Sequence, residues 1–158
     1  HFSGIGRLFP NSPRFNGYFQ PFQDFEQPHA VPVIAGSFKM MPADLFRQIG
    51  GWDETYFFYG EDIDLCYRVH QAGREIIYFP HVDVLHYKGA SSGLRKESAK
   101  IAKPPKETRV KVARESVRAM QIFYQKFYKE KYSPLVTGLV LGGIRLRGWF
   151  RIVKHQLT

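Results

Sequence analysis

Residues 50 to 73, GGWDETYFFYGEDIDLCYRVHQAG, place two adjacent carboxylates, Glu61 and Asp62, between an aromatic-rich loop and a run with helical periodicity. From Asp62 onward Leu65, Val69 and Ala72 recur at steps of three and four, and Gly73 is placed to end the run. The spacing therefore predicts a helix with Asp62 in its first turn. A carboxylate beside a second carboxylate and among Trp52, Tyr56, Phe57, Phe58 and Tyr59 loses water and feels like-charge repulsion, and both effects favour its protonated form. That is how a reactive acid or base is commonly built. A competing reading needs no chemistry: an Asp in a first turn is stabilised by the exposed amides and the positive helix end.

At 158 residues and 44% hydrophobic, the chain is long enough for one domain with a core and too short for two ordinary ones. One domain over residues 1–94 with a basic tail over 95–158 is the expected division. The formal charge of +9 supports it, because residues 1–94 carry a net −3 and residues 95–158 a net +12. A basic tail of this kind points to an anionic surface, with phospholipid headgroups or a phosphate-bearing substrate leading, unless it is simply a solvated helix face. The single cysteine, Cys66, excludes an internal disulfide and fits a reducing, cytoplasmic setting. No secretory pattern is seen at either end, and His1 in place of Met points to residues preceding it.

The remaining elements follow from punctuation and period. Residues 1–30, with Pro10, Pro13, Pro21 and Pro28, read as an extended packed loop. VPVIAGSFKMM, residues 31–41, reads as a buried strand interrupted at Gly36, where a missing side chain lets a ligand or another backbone come close. PADLFRQIGG reads as a short helix with Pro42 at its start and Gly50 and Gly51 as a left-handed cap. Residues 75–80 and 82–87 read as two β segments broken by Pro80, which gives an α/β class. Residues 90–106 read as a basic loop, and Val110, Ala113, Val117, Met120, Tyr124 and Phe127 mark an amphipathic helix. Beyond Pro134, LVTGLVLGGI and the arginines 145, 147 and 151 around Trp149 and Phe150 are too short an apolar run to span a bilayer. Such a segment lies in the membrane interface, forms a dimer contact or packs on another part of the protein.

The stretch AGSFKMMPADLFRQIGGWDETYFFYGEDIDLCYRVHQAGREIIYFPHVDVLHYKGAS, residues 35–92, resembles the acceptor-side half of family 2 glycosyltransferases of GT-A fold, especially bacterial rhamnosyltransferase-like members. The resemblance is carried by a Gly in a strand, GGWDE followed by aromatics and ED, DLCYR, a Gly after the helix, YFP, and a His followed by Gly and Ser, all in one order. It implies the C-terminal part of a GT-A domain, a mixed sheet flanked by helices with a helical basic tail. It also implies sugar transfer from a nucleotide-diphosphate donor to an acceptor hydroxyl, with inversion, in cell-surface polysaccharide or glycolipid synthesis. Asp62 matches the family's base, and Glu61 would raise its proton affinity, orient it or bind the acceptor. His86, in LHYKG, matches the metal-side histidine for Mg²⁺ or Mn²⁺, and Lys88 is placed to meet the diphosphate. His29, His70 and His81 match nothing comparable.

Two departures matter. Asp62-Ile63-Asp64 has the letters of the family's DXD metal motif, but residues two apart on a helix point about 200° from each other and cannot share one cation. Asp64 is expected on the helix face or in a cap. No nucleotide-cradling strand-loop-helix precedes residue 31, so the donor half is expected elsewhere. Trp52 and Tyr59 either stack on a sugar ring or pack in the core, and Arg68 is expected to pair with a carboxylate. A lipid-linked acceptor, an anionic membrane surface, peripheral attachment at its inner face and a second copy of the chain are the partners left open. No nucleic acid is expected, since no such fold signature is present. The contrasting reading is a non-catalytic carbohydrate- or partner-binding module with a membrane-docking tail.

Overall fold

The computed structural model describes residues 8, 9, 11, 12, 23–85 and 104–157. Its contacts divide the chain into two units, one of residues 1–51 and 65–84 and the other of residues 52–64 and 85–158. The acid-bearing segment thus groups with the C-terminal helices.

In the first unit, α1 (Ala43–Gln48) begins after Pro42 and ends at Ile49. Gly50 and Gly51 follow with φ of 83° and 65°, the left-handed geometry expected of the cap. The helix α2 (Glu61–Gln71) starts one residue before Asp62, and Gly73 closes it at φ 70°. Cys66 and Val69 of α2 pack with Ile76 into a core flanked by Val31, Val33, Ile34, Met41 and Ile49. Arg68 donates to the carbonyl of Ile49. His70 Nε2 lies 3.0 Å from the carbonyl oxygen of Pro32, which ties α2 to the chain before Gly36.

The sheet is smaller than the sequence suggests. Strands β1 (His29–Ala30) and β2 (Ile77–Tyr78) form an antiparallel pair in which His29 faces Tyr78 and Ala30 faces Ile77. Residues 31–41 are irregular and turn at Gly36, and residues 82–85 form no strand. A strand exists only where a neighbouring ladder satisfies its backbone, and among the described residues the pairing stops after the Val31 amide donates to the Ile76 carbonyl at 2.8 Å.

In the second unit, α3 (Lys106–Phe127) and α4 (Pro134–Leu157) are joined through a 3₁₀ turn (Lys129–Lys131). The helix α3 begins one turn before the apolar stripe and buries Val112, Ala113 and Ala119. The two helices run antiparallel: Tyr124 meets Thr137 at 3.4 Å, and Arg151 donates to Ser116 at 3.0 Å. Gly148 makes this approach possible, because a Cβ there would lie 2.4 Å from a methyl of Val117. Among the described residues no helix is long and apolar enough to cross a membrane.

Candidate active site

The loop of residues 52–60 hands the chain from the αL glycines to the first turn of α2. Asp53 shapes its beginning: its Oδ1 accepts the Thr55 amide at 3.0 Å and the Thr55 hydroxyl at 2.6 Å, an Asx turn. Its other oxygen accepts Lys126 Nζ of α3 at 2.5 Å. That ammonium, with a smaller part from Thr55, lowers the Asp53 carboxyl from 3.8 to about 2. At the loop's end Tyr59 has φ 70° and Gly60 φ 95°. A positive φ is strained for tyrosine, and such strain collects at functional sites.

Glu61 and Asp62 open α2, and both are half-buried. Asp62 Oδ1 accepts the amide of Ile63 at 2.8 Å, the contact expected of a carboxylate at a helix start. Glu61 Oε2 is enclosed and has no hydrogen-bond partner among the described residues. A buried carboxylate oxygen without a donor is costly. Trp52 is 46% exposed and Tyr59 42% exposed, which removes the core reading for both and leaves their faces accessible. Phe58 packs edge-on against Tyr59 at 4.5 Å, and Lys111 sits 4.6 Å over the exposed ring of Phe57.

Asp64 departs from expectation. It is fully buried, accepting Lys126 Nζ at 2.7 Å and the Tyr56 hydroxyl at 3.3 Å, where a helix-face or capping role was expected. The two aspartates of the DXD letters therefore do different work, and Asp64 is neutralised by an ammonium. Among the described residues no group of three or more His, Cys, Asp or Glu side chains could hold a metal ion. His86 and Lys88, the residues expected to meet a metal and the diphosphate, lie outside the described residues.

Glu61, Asp62, Trp52 and Tyr59 share one continuous segment, while Gly36 belongs to the first unit. That unit holds a cleft of about 860 Å³ lined by apolar side chains such as Phe38, Met40, Ile77 and Phe79, without Glu61 or Asp62. Sequence reasoning missed the group formed by Asp53, Tyr56, Asp64 and Lys126. Its only local sign is an acid at the end of each side of the aromatic loop.

The profile described as "Glycosyltransferase like family 2" matches residues 21–103. The chain belongs to that family, which implies the GT-A fold, and it is rhamnosyltransferase-like. It is 38% identical over 90 residues to N-acetylglucosaminyl-diphospho-decaprenol L-rhamnosyltransferase of Mycobacterium tuberculosis, covering 56% of this chain and 29% of that protein. The same figures hold for the CDC 1551 and H37Rv strains. Rhamnosyltransferase WbbL of Escherichia coli K12 is 43% identical over 57 residues, 36% of this chain and 22% of that protein. The matched part therefore spans less than a third of either relative's length. No solved structure matches the chain.

Proposed function

We propose that the protein transfers a sugar of the rhamnose class from a nucleoside-diphosphate donor to a hydroxyl of a lipid-linked acceptor, in the assembly of cell-wall polysaccharide. One observation carries the reading: within the segment that matches the family, Glu61 and Asp62 stand at the first turn of α2, directly after a loop with exposed Trp52 and Tyr59. The sugar and the acceptor class are taken from the Mycobacterium tuberculosis relative's own name.

In this mechanism Asp62 is the base. It takes the proton of the acceptor hydroxyl while that oxygen forms its bond to the anomeric carbon. The bond from that carbon to the donor phosphate oxygen breaks, and its electron pair leaves with the nucleoside diphosphate. A single displacement of this kind inverts the anomeric centre. Glu61, beside Asp62 in the first turn of α2, is assigned to orienting it. Trp52 and Tyr59 are assigned to the sugar's C–H faces, and Gly36 to close approach of substrate backbone or ring. Lys88 would meet the leaving diphosphate, and His86 would hold the Mg²⁺ or Mn²⁺ that the family resemblance implies, which would neutralise the diphosphate's charge; both residues lie outside the described ones.

The exposed face of α4 supports work at the cytoplasmic membrane surface. Leu135, Leu139, Leu146, Trp149 and Phe150 are 57–75% exposed, and at 3.6 residues per turn they fall within roughly 100° of arc. Thr137 and Gly148, which meet α3, lie on the opposite side. Exposed Arg145 and Arg147 border the apolar stripe on its two edges. An apolar stripe edged by arginines matches a bilayer interface with anionic headgroups. Flotation on anionic liposomes at low salt, weakened with Leu146→Glu and on neutral lipid, is the expected result. Failure to float, with a dimer in sizing chromatography, would assign the face to a second copy.

Turnover is tested with the full-length gene product, a nucleoside-diphosphate L-rhamnose and a polyprenyl-diphospho-N-acetylglucosamine acceptor, with Mg²⁺, Mn²⁺ or chelator. Asp62→Asn should lower kcat by about 10²–10⁴ while donor binding stays within about twofold. The bond from the Ile63 amide to Asp62 favours the second reading, a binding module in which Asp62 only starts a helix. That reading requires carbohydrate binding without turnover for any donor.

A further inference from the structure

The second unit contains a device that the matched family segment does not include. Lys126, well beyond residue 103, places one ammonium between two carboxylates that stand at opposite ends of the acid-bearing loop. Asp53 Oδ2 is 2.5 Å away and Asp64 Oδ1 2.7 Å away. The loop is closed further by the Tyr56 hydroxyl on Asp64, at 3.3 Å, and by the Asp64 amide on the Gly60 carbonyl, at 2.9 Å. Helix α3 also bounds the turn sterically, since a Cβ on Gly60 would lie 3.0 Å from the Cβ of Ala119. The tie encloses residues 53–64, and with them Tyr59, Glu61 and Asp62.

We propose that Lys126 is a positioning residue for the Glu61–Asp62 pair: by drawing Asp53 and Asp64 onto one ammonium it fixes the loop and the first turn of α2 in the orientation that presents Asp62 to the acceptor hydroxyl. The inference rests on the reading of Asp62 as base. Its physical core is asymmetry of burial. Asp64 is fully buried, whereas the Lys126 side chain is one-third exposed and that of Asp53 one-fifth. Asp64 is therefore the fixed anchor and Asp53 the end that the ammonium holds down. Loss of Lys126 leaves a buried carboxylate short of its cation, and the first turn must move or take up a proton. Small displacements of a catalytic group cost rate far more than affinity, because orientation acts on the transition state.

The test uses the full-length gene product in the rhamnosyl-transfer assay. Lys126→Met should lower kcat by roughly 10–100-fold with donor KM within about twofold, and Lys126→Arg should recover most of it. Asp53→Asn, which leaves the buried Asp64–Lys126 pair intact, should lower kcat by a smaller factor with KM again unchanged. In an Asp62→Asn background Lys126→Met should produce no further loss, since it acts through that side chain. A kcat within twofold of wild type in Lys126→Met, or a full further loss in the Asp62→Asn background, overturns the proposal while the base assignment stands. Should Lys126→Met not fold, Asp53→Asn decides: unchanged kcat overturns the proposal. Full turnover in Asp62→Asn alone overturns the underlying reading instead.

Discussion

The helical hairpin that carries Lys126 comes close together at Gly148, and the same substitution placed at two positions of α4 should have opposite signs. At Gly148 an alanine Cβ would sit 2.4 Å and 2.9 Å from the two methyls of Val117 and 3.3 Å from its Cβ. Carbon atoms pack at about 3.5–4.0 Å, so the overlap at the nearer methyl exceeds 1 Å. Valine in a helix has one strongly preferred rotamer, and the 3.3 Å distance to its Cβ persists whatever the rotamer, so α3 and α4 must separate. Overpacking of this kind costs about 1–3 kcal/mol, while Gly→Ala in a helix interior contributes about 1 kcal/mol in the other direction. Gly148→Ala should therefore destabilise by about 1 kcal/mol net, with an upper limit near 2. At Gly142 nothing lies within 4 Å of the added Cβ, so only the helix-propensity gain of about 1 kcal/mol remains. For a chain of this size 1 kcal/mol corresponds to about 2–4 °C in Tm. Thermal unfolding followed by helical circular dichroism should place Gly148→Ala a few degrees below wild type and Gly142→Ala a few degrees above. Val117→Ala should remove most of the deficit in a double-mutant cycle. A Gly148→Ala protein as stable as Gly142→Ala, or a double variant with no coupling, would refute the close-contact reasoning.

Two further outcomes follow from the acid-bearing loop. Asp53 is lowered from 3.8 to about 2 by Lys126. Its stabilising contribution is therefore complete above about pH 4 and lost as pH falls through about 2; allowing for partial solvent screening it amounts to about 1–2 kcal/mol. Urea midpoints taken between pH 5 and 2 should show a decline that Asp53→Asn reduces, and an equal decline in that variant would show the ion pair contributes nothing. Gly60→Ala combines a φ of 95° with a Cβ 3.0 Å from both Ala119 and the Tyr56 ring, and should destabilise by about 2–4 kcal/mol. Ala119→Gly should relieve only the contact with that residue, leaving the Tyr56 contact and the backbone strain; complete rescue would show that neither is the constraint.

What the sequence revealed was set by nearest neighbours. Gly50, Gly51 and Gly73 all take positive φ, and the stops they mark for α1 and α2 were readable because a left-handed cap is a property of a few consecutive residues. The helical period likewise located α3, although its first turn lay before the apolar stripe began. The strands were less readable. VPVIAGSFKMM and EIIYFP have the residues of strands, but pairing depends on a partner ladder, and only His29–Ala30 and Ile77–Tyr78 meet one among the described residues. Trp52 and Tyr59, left between core and ligand roles by their composition, are exposed in the structure.

The charge pattern shows the same limit at longer range. Read along the chain, a net −3 body and a net +12 tail suggest two surfaces for two partners. In the folded second unit, one of those tail cations pairs within the protein: Lys126 reaches back 73 residues to Asp53 and 62 to Asp64. No sequence spacing encodes that pairing, because it depends on where α3 lies against the loop. It also explains why the DXD letters misdirect. Asp62 and Asp64 make different contacts, one with the amide of Ile63 at the helix start and the other, buried, with the ammonium of Lys126. Two carboxylates with the same local sequence thus have different chemistry. The neighbour that separates them arrives from a helix outside the family-matching segment, which is why substitutions in α3 should alter turnover at a motif more than sixty residues away.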